Sequence, residues 1–220
     1  MITRPSFDAT RPLGRDDLAR LVAADIPPGS YVNLGIGQPT RVADFLDPAS
    51  GVILQTENGM LGVGPRASGH DIDPDLINAG KIPVTETPGA SYFHHADSFA
   101  MMRGGHLDVC VLGAFQVSFD GDLANWHTGA SDAIPAVGGA MDLAIGAQQV
   151  FVLMTLFGND GSPKFVPKCT YPLTGVACVS RVYTDYAVLL LTDHGVVARE
   201  TYGMSPDDLA ERLKITFQDV

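Results

Sequence analysis

The chain has 220 residues, of which 45% are hydrophobic and 18% are charged. This length fits one domain with its own core, and the composition excludes a disordered chain, while no apolar run approaches the roughly 20 residues that a membrane span needs. The net charge of −11 argues against duplex DNA or an anionic membrane surface as a partner. Small anions are not excluded, because backbone amides bind them locally.

The polar N-terminal residues and the cysteines indicate where the domain begins and in which compartment the protein works. Residues 1–13 predict a loose N-terminal tail, which precedes a domain over residues 14–220. They lack the apolar segment of a secretory signal, so we expect a cytoplasmic protein. Three cysteines without a C-x-x-C pair predict reduced thiols rather than a zinc site or a redox dithiol.

The first elements predict a helix followed by a β-loop-α-β unit. An apolar face formed by Leu18 and its neighbours predicts a helix over residues 15–25. Two short strands are expected at residues 31–34 and 52–55. Between them, a glycine loop leads to a predicted helix over residues 39–46, whose proline suits the first turn.

The remaining elements extend this pattern and then change it. In the middle of the chain, periodicity predicts strands at residues 107–112, 114–119 and 150–156 and a short helix at 141–147. After Pro172, three closely spaced strands, 177–183, 186–191 and 196–201, are expected to pair antiparallel before a helix capped by Ser205. The predicted fold class is therefore α/β, a single domain with an open, partly mixed β-sheet covered by helices.

A first candidate site is the glycine loop Gly35-Ile36-Gly37-Gln38-Pro39, between a predicted strand and a predicted helix. Such a loop exposes backbone amides that suit a phosphate, a carboxylate or a developing oxyanion. It lacks the third glycine of a dinucleotide-binding motif and the Lys-Ser/Thr of a P-loop, so a plain tight turn remains the alternative.

Two further candidates also follow predicted strands or precede helices. Glu57, in the segment Gln55-Thr56-Glu57-Asn58-Gly59, follows an apolar strand, which places a carboxylate over the crevice where open α/β sheets bind ligands. An exposed acid beside an ordinary Asn-Gly turn is the alternative. Gly138 and Gly139 open a helix, where small residues allow close approach of a ligand or simply close packing of the helix on the sheet.

Metal and serine-hydrolase chemistry receive no support from the sequence. His94 and His95 would point to opposite faces of a strand, and no H-x-E or H-E-x-x-H spacing occurs. No G-x-S-x-G motif is present either. Arg103, beside two glycines, is a possible anion partner or a solvated side chain.

Taken together, several segments resemble the B-type half of the class I CoA-transferases that act on 3-oxoacids. They are YVNLGIGQPT from Tyr31, QTENGMLGVGP from Gln55, DLINAGK from Asp75, FAMMRGGHLDVCVLGAFQV from Phe99, GDLANW from Gly121, VGGAMDLAIGA from Val137 and YPLTGVACVSRVYTD from Tyr171. Within the family, the segments from His94, Ala124 and Tyr171 are most similar to the members that act on 3-oxoadipate. Acetoacetate-using members share the ENG and GGAMDL segments.

The resemblance implies a ping-pong transfer of CoA from succinyl-CoA to a 3-oxo acid, through a thioester between CoA and a glutamate. It assigns the nucleophile to Glu57 and implies no permanently bound cofactor, with coenzyme A esters as substrates. The residues expected to bind substrate or CoA are Asn33, Gly35, Gly37, Asn58, Gly138 and Gly139. It also implies an A-type CoA-transferase chain as partner, in an A2B2 heterotetramer.

The chain departs from the family at two places. Relatives commonly have serine before Glu-Asn-Gly, whereas this chain has Thr56, which keeps a hydroxyl. They also commonly have Asp-His or Glu-His near the strand after GGAMDL, whereas this chain has Met154-Thr155-Leu156-Phe157. Two other functions stay open: an acyl-CoA hydrolase in which Glu57 activates water, and a non-catalytic module whose glycine loops bind an anion.

Overall fold

A computed structural model of the chain describes residues 4–130, 134–135 and 137–219. The described residues form twelve strands: β1 Tyr31–Leu34, β2 Ile53–Thr56, β3 Met60–Arg66, β4 Val84–Tyr92, β5 Val109–Leu112, β6 Gln116–Ser118, β7 Leu123–Ala124, β8 Gln149–Leu153, β9 Phe165–Val166, β10 Val179–Tyr183, β11 Ala187–Thr192 and β12 Gly195–Thr201. They also form four α-helices: α1 Arg15–Asp25, α2 His95–Arg103, α3 Ala140–Gly146 and α4 Pro206–Leu213.

Nine of these strands form one mixed sheet in the order β12-β11-β10-β8-β5-β1-β2-β3-β4. The central strands β10, β8, β5, β1 and β2 run parallel, and antiparallel strands extend the sheet at both edges. The predicted open, partly mixed sheet is confirmed, including the antiparallel pairing near the C-terminus. A second, three-stranded sheet in the order β7-β6-β9 was not predicted.

The parallel strands are buried on both faces, so their side chains alternate between two hydrophobic clusters. In β8, Phe151 and Leu153 belong to the cluster that includes the apolar face of α1. Val150 and Val152 belong to the other cluster, which includes residues of α2, α3 and α4. The period-two alternation of a strand therefore gives one sheet two cores, with helices over both.

The structure corrects two local predictions. Residues 39–46 were expected to be an α-helix, but the chain forms a 3₁₀-helix over Gln38–Phe45. Pro39, Val42 and Phe45 all pack inward or are buried, and this spacing of three residues matches the 3₁₀ period. His94 and His95 are not on a strand: the His94 ring caps α2 by accepting a hydrogen bond from the Ala96 amide at 3.1 Å.

Strands β3 and β4 were not predicted, because both contain glycine and proline and β4 is largely exposed. Residues 4–13 contact the domain: Arg4 forms an ion pair with Asp25, the Gly203 amide donates to the Ala9 carbonyl at 2.7 Å, and Leu13 is buried. The boundary of the domain at residue 14 stays a prediction. No helix in the described ranges has the length and apolar composition to cross a bilayer.

Candidate active site

The candidate residues gather at the carboxyl edge of the parallel strands. Glu57 directly follows β2, and Gly35, Gly113 and Met154 directly follow β1, β5 and β8. Parallel strands end at a common edge, and in open α/β sheets this edge is where ligands bind. Gly35 and Met154, which are 119 positions apart in the chain, are therefore brought to one place by the order of the strands.

A tight turn between β2 and β3 fixes the position of Glu57. The Gly59 amide donates to the Thr56 carbonyl at 3.1 Å, so Glu57 and Asn58 are the central residues of a β-turn. Gly59 has φ 112°, and a Cβ added there would overlap the Phe93 carbonyl oxygen. The positive φ of this turn is thus found at the glycine, and only glycine fits that position.

Beneath the turn, a chain of buried hydrogen bonds ties three elements together. Asn33 Nδ2, on β1, donates to Gln55 Oε1 at 2.7 Å, and Gln55 Nε2 donates to Ser98 Oγ at 2.6 Å. Ser98, on α2, in turn donates to the Thr56 carbonyl at 2.9 Å. This series of hydrogen bonds holds the end of β2 against α2, next to Glu57. Sequence reasoning missed Gln55 and Ser98, although a glutamine within an apolar strand was a usable signal.

The Glu57 carboxylate lies in an environment that disfavours its charge. Burial raises its pKa, the positive charge of His95 and the Gly139 amide oppose this shift, and Asp142 adds to it. The Gly139 amide is near enough to lower the pKa of Glu57 as a donor does, but among the described residues no donor meets full hydrogen-bond geometry with the buried Oε2. A buried oxygen without a partner retains its full capacity to bind or attack an incoming group.

The two glycines at the start of α3 differ in why they must be small. Gly138 has φ 49°, with nothing within 4 Å of an added Cβ, so its constraint is the backbone conformation. Gly139 has φ −86°, which any residue adopts, but an added Cβ would overlap Glu57 Oε2 and contact Phe99. A side chain at position 139 would therefore displace the Glu57 carboxylate from the place it has in this structure.

Glu57 lines two cavities. The first has a volume of about 390 Å³ and is bounded by the ends of β1 and β2, the 3₁₀-helix, and β3. The second has a volume of about 600 Å³ and is bounded by the residues after β1, β5 and β8 and the start of α3. An extended substrate could place its parts in both cavities and its reactive atom beside Glu57.

The structure brings all the predicted site residues to these cavities but divides them. Those that line the first cavity are Asn33, Gly37 and Asn58. Those that line the second cavity are Gly35, Gly138 and Gly139. Asn33 is nearly inaccessible, and its amide nitrogen is already used for the bonds to Gln55.

Neither a metal-binding cluster of the described residues nor Arg103 is part of this site. Among the described residues, no three His, Cys, Asp or Glu side chains are grouped so that they could hold a metal ion. The Arg103 guanidinium pairs with Asp142, with 2.6 Å between Nε and Oδ1, and lies over the Phe99 ring. Arg103 therefore joins α2 to α3 instead of facing an open anion site.

Comparison with known proteins matches residues 15–202 to the family described as coenzyme A transferase. The chain is 63% identical over 187 residues to the B-type chain of 3-oxoadipate CoA-transferase from Pseudomonas putida, covering 85% of this chain and 87% of that protein. It is 42% identical to the B-type chain of succinyl-CoA:3-ketoacid coenzyme A transferase from Helicobacter pylori, covering 93% and 98%.

The fold is also found in solved structures. An acyl-CoA transferase of Escherichia coli O157:H7, as apoenzyme, superimposes with a TM-score of 0.73 at 19% sequence identity. The match covers 99% of this chain and 43% of that one, so this chain corresponds to less than half of the longer protein.

Proposed function

The chain belongs to the coenzyme A transferase family, and we propose that it is the B-type chain of an enzyme that transfers CoA from succinyl-CoA to 3-oxoadipate. The substrates are proposed from the 63% identity to the P. putida protein, together with the residues gathered around Glu57. Coenzyme A esters are its substrates. The 42% identity to the H. pylori protein makes acetoacetate the alternative acceptor, which belongs to the same reaction class.

Glu57 is the proposed nucleophile. Its carboxylate attacks the thioester carbonyl of succinyl-CoA, and collapse of the tetrahedral adduct forms an acyl-glutamyl anhydride and expels CoA thiolate. The thiolate then attacks the glutamyl carbonyl, which releases succinate and leaves CoA joined to Glu57 as a thioester. The energy of the thioester bond is retained, and no water is consumed.

The acceptor reverses these steps. The carboxylate of the 3-oxo acid attacks the glutamyl thioester, forms a second anhydride and expels CoA thiolate, which attacks the acyl carbonyl of the anhydride. The products are the new CoA ester and free Glu57, as a ping-pong cycle requires. An acyl-CoA extends in two directions from its thioester, and two cavities that meet at Glu57 suit such a molecule.

The glycines supply the proposed oxyanion donors. Each attack passes through a tetrahedral oxyanion, and one donor amide contributes about 3 kcal/mol to such a transition state. We assign this role to the backbone at Gly138 and Gly139 and to the loop at Gly37. The Gly35 amide is already bonded to the Val111 carbonyl at 2.8 Å, so Gly35 and Asn58 are proposed as further substrate contacts. The buried Asn33 acts by positioning the end of β2 through its bond to Gln55.

An A-type partner chain completes the proposed enzyme, since both relatives cited above are named as the B members of their enzymes. Two large apolar side chains that line the second cavity, Ile36 and Phe115, are exposed by 71% and 40%. Covering them would also keep water from the thioester. We propose an A2B2 heterotetramer, which native mass spectrometry of the two co-expressed chains tests, and we expect the isolated chain to lack transferase activity.

The single observation that carries the proposal is the half-buried Glu57 carboxylate, whose Oε2 has no hydrogen-bond partner among the described residues, between two cavities. The test incubates the reconstituted complex with succinyl-CoA without acceptor and analyses the peptides by mass spectrometry. We expect the Glu57 peptide to gain the mass of CoA less one water. Steady release of free CoA with no adduct would indicate a hydrolase, and an unmodified peptide without CoA release would indicate a binding module.

A further inference from the structure

Lys164 is a lysine in the second cavity to which the reaction described above assigns no role. It directly precedes β9, and its backbone is fixed on both sides: its amide donates to the Leu156 carbonyl at 2.9 Å, and its carbonyl accepts from the Val117 amide at 3.0 Å. Its side chain is half-buried and lines the cavity. The backbone from which the side chain projects is thus held by two β-type contacts, as expected of a binding residue on a rigid support.

The ammonium group of Lys164 forms no salt bridge within the described part of the chain. No carboxylate there lies within 4.0 Å of its ammonium group. Burial lowers the pKa of Lys164, and the nearby charge of Asp185 opposes this shift. Asp185 is already engaged, because its Oδ1 accepts a hydrogen bond from the Leu156 amide at 2.8 Å.

The second cavity is therefore lined by one anionic and one cationic side chain. Of its described lining residues, Glu57 is the only one with a carboxylate and Lys164 the only one with a cationic side chain. A half-buried ammonium without a counter-ion favours an anionic ligand, since pairing recovers part of the cost of burial. In a CoA ester that reacts at Glu57, the phosphates of CoA lie at the far end of the pantetheine arm. A second anionic group on the acyl part is closer to the reacting carbonyl and is better placed to meet Lys164 in the same cavity.

We infer that Lys164 binds the distal carboxylate of dicarboxylic acyl groups and so makes the enzyme prefer them over monocarboxylic acids. The inference rests on the proposed function, in which Glu57 attacks the acyl carbonyl. Succinyl and 3-oxoadipyl groups both carry a free carboxylate at the end opposite the thioester. One ammonium can thus serve the donor and the acceptor in turn, as a ping-pong cycle requires.

Thr155 contributes to the same preference for dicarboxylic acyl groups. It follows β8, is exposed and lines the same cavity, and its neighbour Leu156 is bonded to the backbone of Lys164. An acid at position 155 would place a second carboxylate in the cavity that Lys164 lines, where it would compete with the substrate for the ammonium group. The uncharged Thr155 leaves Lys164 available to the substrate.

The test compares two 3-oxo acids on the reconstituted complex. Each variant is first loaded to completion with succinyl-CoA and freed of small molecules, and the glutamyl thioester is then mixed with 3-oxoadipate or acetoacetate. For Lys164→Met we expect the second-order rate constant with 3-oxoadipate to fall about 10- to 100-fold, the range for a lost hydrogen bond to a charged group. The rate constant with acetoacetate should change by less than about 3-fold.

Three further variants separate binding from a general structural effect. Lys168→Met removes an exposed lysine from the same segment and should change neither rate constant. Lys164→Arg should keep most of the preference for 3-oxoadipate, because it keeps the charge. Thr155→Glu should lower the preference without altering Lys164, which keeps the test valid even if Lys164→Met folds poorly.

Each outcome has one interpretation. An equal loss with both acids in Lys164→Met, or an unchanged preference in Thr155→Glu, would overturn the role of Lys164 while leaving the glutamyl thioester intact. Failure of the wild-type complex to form any adduct would instead contradict the proposed function, and this inference with it.

Discussion

Asp25 and Glu57 are two carboxylates with opposite surroundings. Asp25 ends α1, and its side chain is only 8% exposed. It accepts a hydrogen bond from the Tyr183 hydroxyl at 2.7 Å and forms ion pairs with Arg4 and Arg199. Glu57 is half-buried, faces two cavities, and leaves Oε2 without a partner among the described residues. One carboxylate is satisfied and the other is left free to react.

The pKa values of the two groups move in opposite directions. Burial acts to raise the pKa of Asp25, but hydrogen bonds from Arg199, Arg4 and Tyr183 together lower it below its ordinary value. For Glu57, burial outweighs the opposing effects and raises the pKa. Buried carboxylates are therefore stabilising or reactive according to their partners, and the site of a reaction is indicated by the one whose partners are missing.

The sharpest test of this contrast is Glu57→Gln. Glutamine keeps the shape of the side chain but cannot form the anhydride, so we expect the activity of the reconstituted complex to fall by a factor of about 10⁴ or more. Thermal unfolding of the variant should be no easier than that of the wild type, because a partner-less charge is removed. Glu211→Gln, on the exposed side of α4, is the matched control. Substantial remaining activity would end the assignment of Glu57.

Asp25→Ala should have the opposite profile. Removing the carboxylate leaves Arg199 and Arg4 paired only with Glu200, and breaking a buried ion pair from one side costs about 3–5 kcal/mol. We expect the free energy of unfolding in urea to fall by this amount, while kcat of the folded complex changes little. Asp193→Asn, in an exposed turn, should leave both quantities unchanged. A large fall in kcat without loss of stability would refute the distinction between the two carboxylates.

The difference between the regions also explains what the sequence could predict. Glu57 was identifiable because it follows an apolar strand and precedes Asn-Gly, which are local signals. The three arginines around Asp25 could not be identified from the sequence. Arg4, Arg181 and Arg199 come from separate segments that meet only in the fold. An acid at a helix C-terminus is also locally unfavourable, so propensity gave no reason to expect it there.

The same limit applies within the site. Gly138 and Gly139 were selected because they open a helix, but only the structure separates a backbone constraint from a contact with Glu57. The bond between Gln55 and Ser98 joins residues that are 43 positions apart, on a strand and on a helix that was not predicted. Local patterns thus located the edge of the sheet, whereas side-chain partners depended on long-range packing.

Gly139→Ala tests how closely the reactive carboxylate is held. The backbone at φ −86° accepts alanine, so the fold should keep its stability, but the new methyl group would displace Glu57 Oε2. A shift of about 1 Å at a reacting group can cost about 100-fold in rate, and we expect a loss of that size in thioester formation. Gly14→Ala, where an added Cβ meets only ordinary contacts, is the control. Wild-type rates in Gly139→Ala would mean that Glu57 tolerates displacement.

The smallest expected effect is a difference in how stability depends on pH. Because the pKa of folded Glu57 is raised, the folded state binds more protons than the unfolded state between the ordinary glutamate pKa and the raised value. The stability contributed by this group is present below the ordinary pKa and is lost as pH rises through the raised one. Glu57→Gln should therefore gain stability relative to the wild type across that interval, and the gain is small because the group is only half-buried.

The stability contributed by Asp25 should depend on pH in the opposite direction. Its folded pKa is lowered, so its contribution is present above the ordinary aspartate pKa and is lost as pH falls through the lowered value. Asp25→Asn should have a lower free energy of unfolding than the wild type, and this difference should become smaller as the pH falls. Glu57→Gln should have a higher free energy of unfolding than the wild type, and this difference should also become smaller towards low pH. Urea unfolding of the three proteins at a series of pH values measures both differences. If the two variants deviated from the wild type in the same direction at neutral pH, the two carboxylates would not differ as their surroundings require.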